Sequence, residues 1–293
     1  MTAASLWVQG ARPRTLGAAV APVLVGTAAA VAEVDGVIWW RFACALLVAL
    51  ALQVGVNYAN DYSDGVRGTD AERVGPMRLV GSGAAAPKAV KAAAFVAFGV
   101  AAVAGLVLAV TTAWWLVAVG LACIASAWFY TGGTRPYGYA GLGEVMVFVF
   151  FGLVAVVGTT YVQTETFELA ALCAAVGIGA LACAILVANN LRDIPTDREA
   201  GKRTLAVRLG DSATRQLFAV LVLAAIVACI AVAALTTWWA VLALAYAATA
   251  APAARAVLEG ANGPELIPVL QQTGLAELVF GAGIFVGLLV GRV

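Results

Sequence analysis

Polar residues along this chain are confined to a few short stretches, and long apolar runs fill the space between them. The charge-free runs cover 15–32, 42–60, 92–134, 145–164, 169–191 and 216–254, and a last run, 266–291, is broken only by Glu277. A membrane-crossing helix needs about 20 apolar residues. The runs 92–134 and 216–254 are too long for one crossing, so each predicts a helical hairpin. Each carries a turn-like mark near its middle, Thr111-Thr112-Ala113-Trp114-Trp115 and Thr236-Thr237-Trp238-Trp239, and tryptophan favours the membrane interface. Splitting there predicts nine helices, near 15–33, 41–60, 91–110, 113–131, 143–161, 169–190, 214–235, 238–256 and 272–291, in a single polytopic domain spanning 1–293. With the N-terminus inside, 15 of the 17 basic residues fall on the inner side and only Arg41 and Arg292 outside, the asymmetry expected of inner-membrane proteins. An Asn/Asp helix end, a basic loop, a helix, a Thr-Thr-Trp turn and another helix occur twice, four helices apart. That even offset predicts a weak parallel repeat with equivalent helix ends brought together around a central cavity.

Composition agrees with the pattern. The chain is 63% hydrophobic and 11% charged, against about 25% charged for soluble domains. The net charge of +1 gives no reason to expect a polyanion, and nothing resembles a nucleic-acid-binding module. Histidine is absent, which excludes histidine bases, triads and metal sites. Cys44, Cys123, Cys173, Cys183 and Cys229 sit in apolar runs with no CxxC pair and read as small buried hydrophobes. Gly99, Gly105, Gly152, Gly177 and Gly179 read as close helix-packing positions.

Two acidic clusters stand out, both at predicted cytoplasmic helix ends. The first is Asn57-Tyr58-Ala59-Asn60-Asp61-Tyr62-Ser63-Asp64, continuing to Asp70; the second is Asn189-Asn190-Leu191-Arg192-Asp193-Ile194-Pro195-Thr196-Asp197. Asn57, Asp61 and Asp64 are spaced i, i+4, i+7, and Asn189, Asp193 and Asp197 i, i+4, i+8, so each set lies on one helix face. Carboxylates on two facing helices are suited to Mg²⁺ bridging to a diphosphate, and Arg67, Arg73, Arg78, Arg192, Arg198, Lys202 and Arg203 crowd the same segments. Pro195 predicts a kink between Asp193 and Asp197. Asp70 continues the first cluster, with a solvated-loop role as its alternative; topology and headgroup contacts suffice for Arg73, Lys88 and Lys91, and structural pairing for Glu277, a costly carboxylate inside the last span.

These motifs resemble those of the UbiA superfamily of intramembrane prenyltransferases, and within it the branch that prenylates 1,4-dihydroxy-2-naphthoate in menaquinone biosynthesis. Supporting segments are Ala11–Leu16, Gly75–Gly83, Tyr130–Tyr139 and, most extensively, Asn189–Gly210. The resemblance covers essentially the whole chain. It implies an all-α membrane enzyme that transfers a polyprenyl chain from polyprenyl diphosphate to the aromatic acid, with loss of the carboxylate, at a cytoplasmic-side site. It implies Mg²⁺ held by Asp61, Asp64, Asp193 and Asp197, and diphosphate held by Asn57, Asn60, Arg67, Arg78, Lys202 and Arg203. It further implies the acceptor near Arg12, Arg14, Tyr130 and Arg135, and the allylic cation shielded from water by aromatic faces such as Tyr58, Tyr62 and Tyr130. The prenyl tail would leave sideways between helices into the bilayer. The competing readings are a 4-hydroxybenzoate or homogentisate prenyltransferase, a transporter, and a CDP-lipid phosphatidyltransferase. For the last, Asp64-Gly65-Val66-Arg67 only faintly echoes the single continuous acidic motif required.

Overall fold

The computed structural model describes residues 2–34, 36–68 and 77–292, and all regular structure among them is helical. Asp70, Arg73, Gly75 and Pro76 lie outside the described residues. We number the helices α1 (Ala3–Gly10), α2 (Gly17–Val31), α3 (Trp39–Arg67), α4 (Pro87–Thr111) and α5 (Leu116–Phe129). There follow α6 (Gly143–Thr164), α7 (Leu169–Glu199), α8 (Leu205–Leu209), α9 (Asp211–Leu235), α10 (Trp238–Leu258) and α11 (Leu266–Val290).

Among the described residues, seven helices are long and apolar enough to cross a membrane, and an eighth if the bent pair Ala4–Thr15 and Gly17–Val31 is one span. Helix α5 has 14 residues, about 21 Å at 1.5 Å per residue, short of a hydrocarbon core of about 30 Å. Both long runs break where the Thr-Thr-Trp marks stand: α4 ends at Thr111 and α10 starts at Trp238. The threonine hydroxyls turn back onto the preceding helix, Thr111 and Thr112 onto the Leu108 carbonyl and Thr236 onto the Val232 carbonyl, which occupies carbonyls that the helix end leaves free.

Helix α7 is the axis of the bundle. It is rich in alanine and glycine, with Ala171, Ala174, Ala175, Ala180 and Ala184 buried. Small residues let helix backbones approach closely, which is how membrane helices gain packing energy. A Cβ on Gly152 of α6 would lie 2.7 Å from the Gly179 Cα, and one on Gly177 would lie 2.7 Å from the Phe280 ring. The packing reading thus holds for Gly152, Gly177 and Gly179. It fails for Gly99, which has open space, and for Gly105, which lines a cavity. Pro195 lies inside the helix, which runs through to Glu199, about one turn beyond it. All five cysteines are free thiols.

The main core joins α2, α7, α9, α10 and α11 around Phe218, Tyr246 and Phe280. Helices α3, α4 and α5 form a second unit, in which α5 has no buried residue.

Candidate active site

The two acidic helix ends meet through Lys202. Its ammonium lies 3.9 Å from Asp64 Oδ1 and 3.8 Å from Asp197 Oδ1, linking a carboxylate of α3 to one of α7. Lys202 is held by its own backbone N–H on the Asp197 carbonyl at 2.8 Å, and its ammonium sits 4.6 Å from the centre of the Tyr139 ring. Tyr139 also donates its hydroxyl to Asp64, and the Arg67 guanidinium lies 5.5 Å from the centre of the same ring. The Tyr139 carbonyl accepts the Arg203 N–H at 2.9 Å. The loops after α5 and α7 are therefore laced together above the two carboxylates.

The remaining predicted residues divide by what they touch. Asp64 and Asp197 face each other; Arg78, buried, reaches Asp64 at 3.4 Å. Asp61 is almost fully buried and accepts the backbone N–H groups of Leu79 and Val80 at 2.7 and 2.9 Å. It thereby anchors the segment that carries Arg78. Asp193 takes both donors of the neighbouring Arg192 at 2.6 and 2.8 Å, while Arg192 also reaches Asn189. Asn57 spends its amide on the Ala11 carbonyl and the Thr15 hydroxyl, and Asn60 accepts the Thr131 hydroxyl at 2.7 Å. Arg67 donates to the carbonyls of Thr131 and Gly133. Arg203 is exposed; Arg14 and Arg135 are exposed, and Arg12 is half-buried with a left-handed backbone. Of the aromatic shields, Tyr130 lines the cavity. Tyr58 packs edge-on against Trp7 and donates to the Trp7 carbonyl, and Tyr62 stacks with Trp128 under Lys91, so neither is among the cavity walls.

A cavity of about 510 Å³ leads away from this polar centre. Asn57, Asn60, Tyr130 and Tyr137 stand at one end, and apolar side chains such as Val23, Leu108 and Phe150 line the rest. Its α3 wall runs from Asn60 back to Ala45, about 22 Å of helix at 1.5 Å per residue. Near the opposite end, Val162 lines the cavity and its carbonyl accepts the Arg41 guanidinium at 2.7 Å; Arg41 also reaches the Thr111 carbonyl at 3.1 Å. Burial pushes the phenol of Tyr137, in the turn between α5 and α6, well above the ordinary tyrosine range.

Three participants were not singled out from sequence. Tyr139 lay inside the quoted Tyr130–Tyr139 segment, but nothing in its spacing pointed to Asp64. Glu144, a carboxylate one residue inside a span, carried the signal of a costly intramembrane charge. Asn190 donates to Glu144 at 2.9 Å.

Among the described residues, no three His, Cys, Asp or Glu side chains converge to hold a metal alone. Mg²⁺ needs no such cage: it takes one or two carboxylates together with water and substrate phosphates. Asp64 and Asp197, flanking one cationic position from two walls, fit that requirement.

The chain matches the UbiA prenyltransferase family over residues 19–265. It is 55% identical over 292 residues to a 1,4-dihydroxy-2-naphthoate octaprenyltransferase of Mycobacterium tuberculosis, covering 100% of this chain and 99% of that one. Among solved structures, the fold is similar to the apo structure of a UbiA homolog from Aeropyrum pernix K1 (TM-score 0.72, 15% identity, 92% of this chain and 97% of that one). It is also similar to a UbiA homolog from Archaeoglobus fulgidus bound to DMAPP and Mg²⁺ (TM-score 0.67, 14% identity, 97% of this chain and 99% of that one).

Proposed function

The chain belongs to the UbiA prenyltransferase family, and from that premise we propose that it transfers a polyprenyl chain from polyprenyl diphosphate to 1,4-dihydroxy-2-naphthoate, with loss of the carboxylate, for menaquinone biosynthesis. The 55% identity to the mycobacterial enzyme supports this acceptor. The observation that carries the chemistry is the Lys202 bridge between Asp64 and Asp197, because ionising an allylic diphosphate requires positive charge gathered where the leaving group develops.

Mg²⁺, with which an archaeal relative was solved, would supply Lewis-acid neutralisation of the diphosphate when held by Asp64 and Asp197. Asp193 stands one turn from Asp197 and completes the second wall; Asp61 holds the 79–80 backbone so that Arg78 is aimed at the same place. Lys202 and Arg78 bind the diphosphate, with Arg203 and Arg67 at the rim. Asn57 and Asn60, at the cavity mouth, set the α1–α3 and α3–α5 joints against which the diphosphate end rests. The apolar cavity takes the first part of the tail, excludes water from the cation, and directs the remainder toward lipid. Tyr130 and Tyr137 present ring faces to the cation. Arg12, Arg14 and Arg135 are the cations available to the acceptor carboxylate. In this reading nine segments form the bundle, with the N-terminus and both acidic ends on the cytoplasmic side of the cell membrane and the two halves related by a parallel repeat.

The test is a product assay on purified protein with Mg²⁺, polyprenyl diphosphate, and either 1,4-dihydroxy-2-naphthoate or 4-hydroxybenzoate. Prenylated, decarboxylated naphthol product with the first and none with the second is expected. Turnover of hydroxybenzoate alone would reassign the acceptor.

A further inference from the structure

Gln53 of α3 is buried and stands on the helix stripe that borders the cavity, with Ala49 and Asn57 one turn to either side. Its amide nitrogen donates to the Thr15 hydroxyl at 2.9 Å. Its amide oxygen is enclosed with no hydrogen-bond partner among the described residues. Thr27, Glu144 and Glu277 also hold such an atom, but none of them is on the cavity wall. Other polar groups of that wall are spent within the protein. Asn60 accepts the Thr131 hydroxyl, Tyr137 donates to the Ser126 carbonyl, and Thr159 donates to the Ala155 carbonyl.

Thr15 fixes which way the Gln53 amide faces. The threonine hydroxyl gives its proton to the Arg12 carbonyl at 2.9 Å and accepts Gln53 Nε2 and Asn57 Nδ2 at 2.9 and 3.0 Å. A hydroxyl has one donor and two acceptor positions, so all three are filled. Turning the amide over would set Oε1 against an oxygen with no proton to spare. The amide oxygen is therefore held where the protein offers it nothing. A buried acceptor left unmet costs the desolvation of the group, and beside a cavity a bound ligand can meet it.

Position along α3 selects the reactant. Gln53 lies eleven residues before Asp64, about 16 Å of helix, out of reach of a diphosphate bound there. The prenyl donor has no hydrogen-bond donor to give: its tail is hydrocarbon and its ionised diphosphate only accepts. The aromatic acceptor has two ring hydroxyls. The one beside the carboxylate is bonded to it within the molecule; the one across the ring, at C4, is free.

Resting on the dihydroxynaphthoate reading, we propose that Gln53 is a specificity residue for the aromatic acceptor, its amide oxygen taking the C4 hydroxyl of the ring. Arg12 and Thr15 belong to one turn. The segment that offers a cation to the acceptor carboxylate thus also anchors the amide that receives the hydroxyl, and the ring is held at two points. A site that commits a buried acceptor to a substrate hydroxyl rejects the analogue lacking it.

The experiment measures dissociation constants of 1,4-dihydroxy-2-naphthoate and of 1-hydroxy-2-naphthoate, which lacks the C4 hydroxyl. Full-length protein is used with Mg²⁺ and inorganic diphosphate but no prenyl donor, so that no turnover occurs. Wild type should bind the dihydroxy compound about tenfold tighter, ~1.4 kcal/mol. Gln53→Met keeps the length of the side chain and removes the amide. In that variant the two compounds should bind alike, at the affinity wild type has for the analogue, with donor KM unchanged in separate turnover assays. A preference that survives in Gln53→Met, or no preference in wild type, overturns the proposal. So does equal weakening of both compounds in Gln53→Met, the mark of a residue that only props the Arg12–Thr15 turn. If Gln53→Met does not fold, Gln53→Asn, which draws the amide oxygen back by one methylene, decides by the same ratio: a lost preference supports the proposal and a kept one overturns it. All of these results leave the acceptor reading standing. Wild type that binds neither naphthoate and makes no product from the dihydroxy compound overturns both.

Discussion

The two halves of the molecule carry the same sequence signature and are packed in opposite ways. In the first half, α3 ends in Asn57–Asp64, and α4 and α5 follow around a cavity of about 510 Å³. In the second, α7 ends in Asn189–Asp197, and α9 and α10 follow around a filled core. There the Tyr246 hydroxyl donates to the Val222 carbonyl at 2.6 Å, its ring meets Phe280 edge-on, and both side chains are fully buried. The short α5 buries nothing, whereas α9 and α10 bury a face each. One half borders an open cavity and the other a filled core, and a carboxylate of each, Asp64 and Asp197, lies against Lys202.

The largest effect should come from breaking that shared end. Asp64→Asn and Asp197→Asn should each cost about 10²–10⁴ in kcat, on the order of 3–5 kcal/mol, in protein that still folds; prenyl-transfer rates at saturating donor measure this. Hollowing the solid half should act on stability instead. Phe280→Ala should lower unfolding free energy by about 3–5 kcal/mol, read from thermal melts in detergent, with turnover per folded molecule little changed. If Phe280→Ala instead altered donor preference, the division of labour would be wrong.

Filling the hollow half should do the reverse. Gly120 lines the cavity and has open space where a side chain would go. Gly120→Phe should raise KM for long polyprenyl diphosphates by about tenfold, ~1.4 kcal/mol, with little change for a short donor and little loss of melting temperature. The smallest effect should be Tyr246→Phe, which removes one buried hydrogen bond and should cost about 1 kcal/mol of stability with unchanged kinetics.

Local pattern made the all-helical, multi-pass architecture and the acidic helix ends legible, while against nine expected crossings the described residues hold seven or eight candidate spans. Runs of apolar residues and the two Thr-Thr-Trp turns located the breaks at 111–116 and 235–238. The two clusters were expected on opposing walls, and Asp64 and Asp197 both lie against Lys202. The cavity did not, because Val23, Leu108 and Phe150 read the same whether they face lipid, core or empty space. Nor did the destinations of Asn57 and Asp61: their partners, Ala11 and Thr15 in one case and the Leu79 and Val80 amides in the other, lie far along the chain. Helix-face spacing placed Asp61 with Asp64, but the fold turned one toward the loop and the other toward Lys202. Glu144 was passed over because it stands alone in the sequence, and only folding brings Asn190 to it.

The central claim is that carboxylates from the two halves serve one diphosphate site. A double-mutant cycle on Mg²⁺-dependent prenyl transfer tests it most directly, using Asp64→Asn, Asp197→Asn and the pair together. Groups acting as a unit are strongly non-additive, so the double variant should be little slower than either single one. Rate losses that multiply in the double variant, or one single variant at wild-type rate, would contradict a shared site.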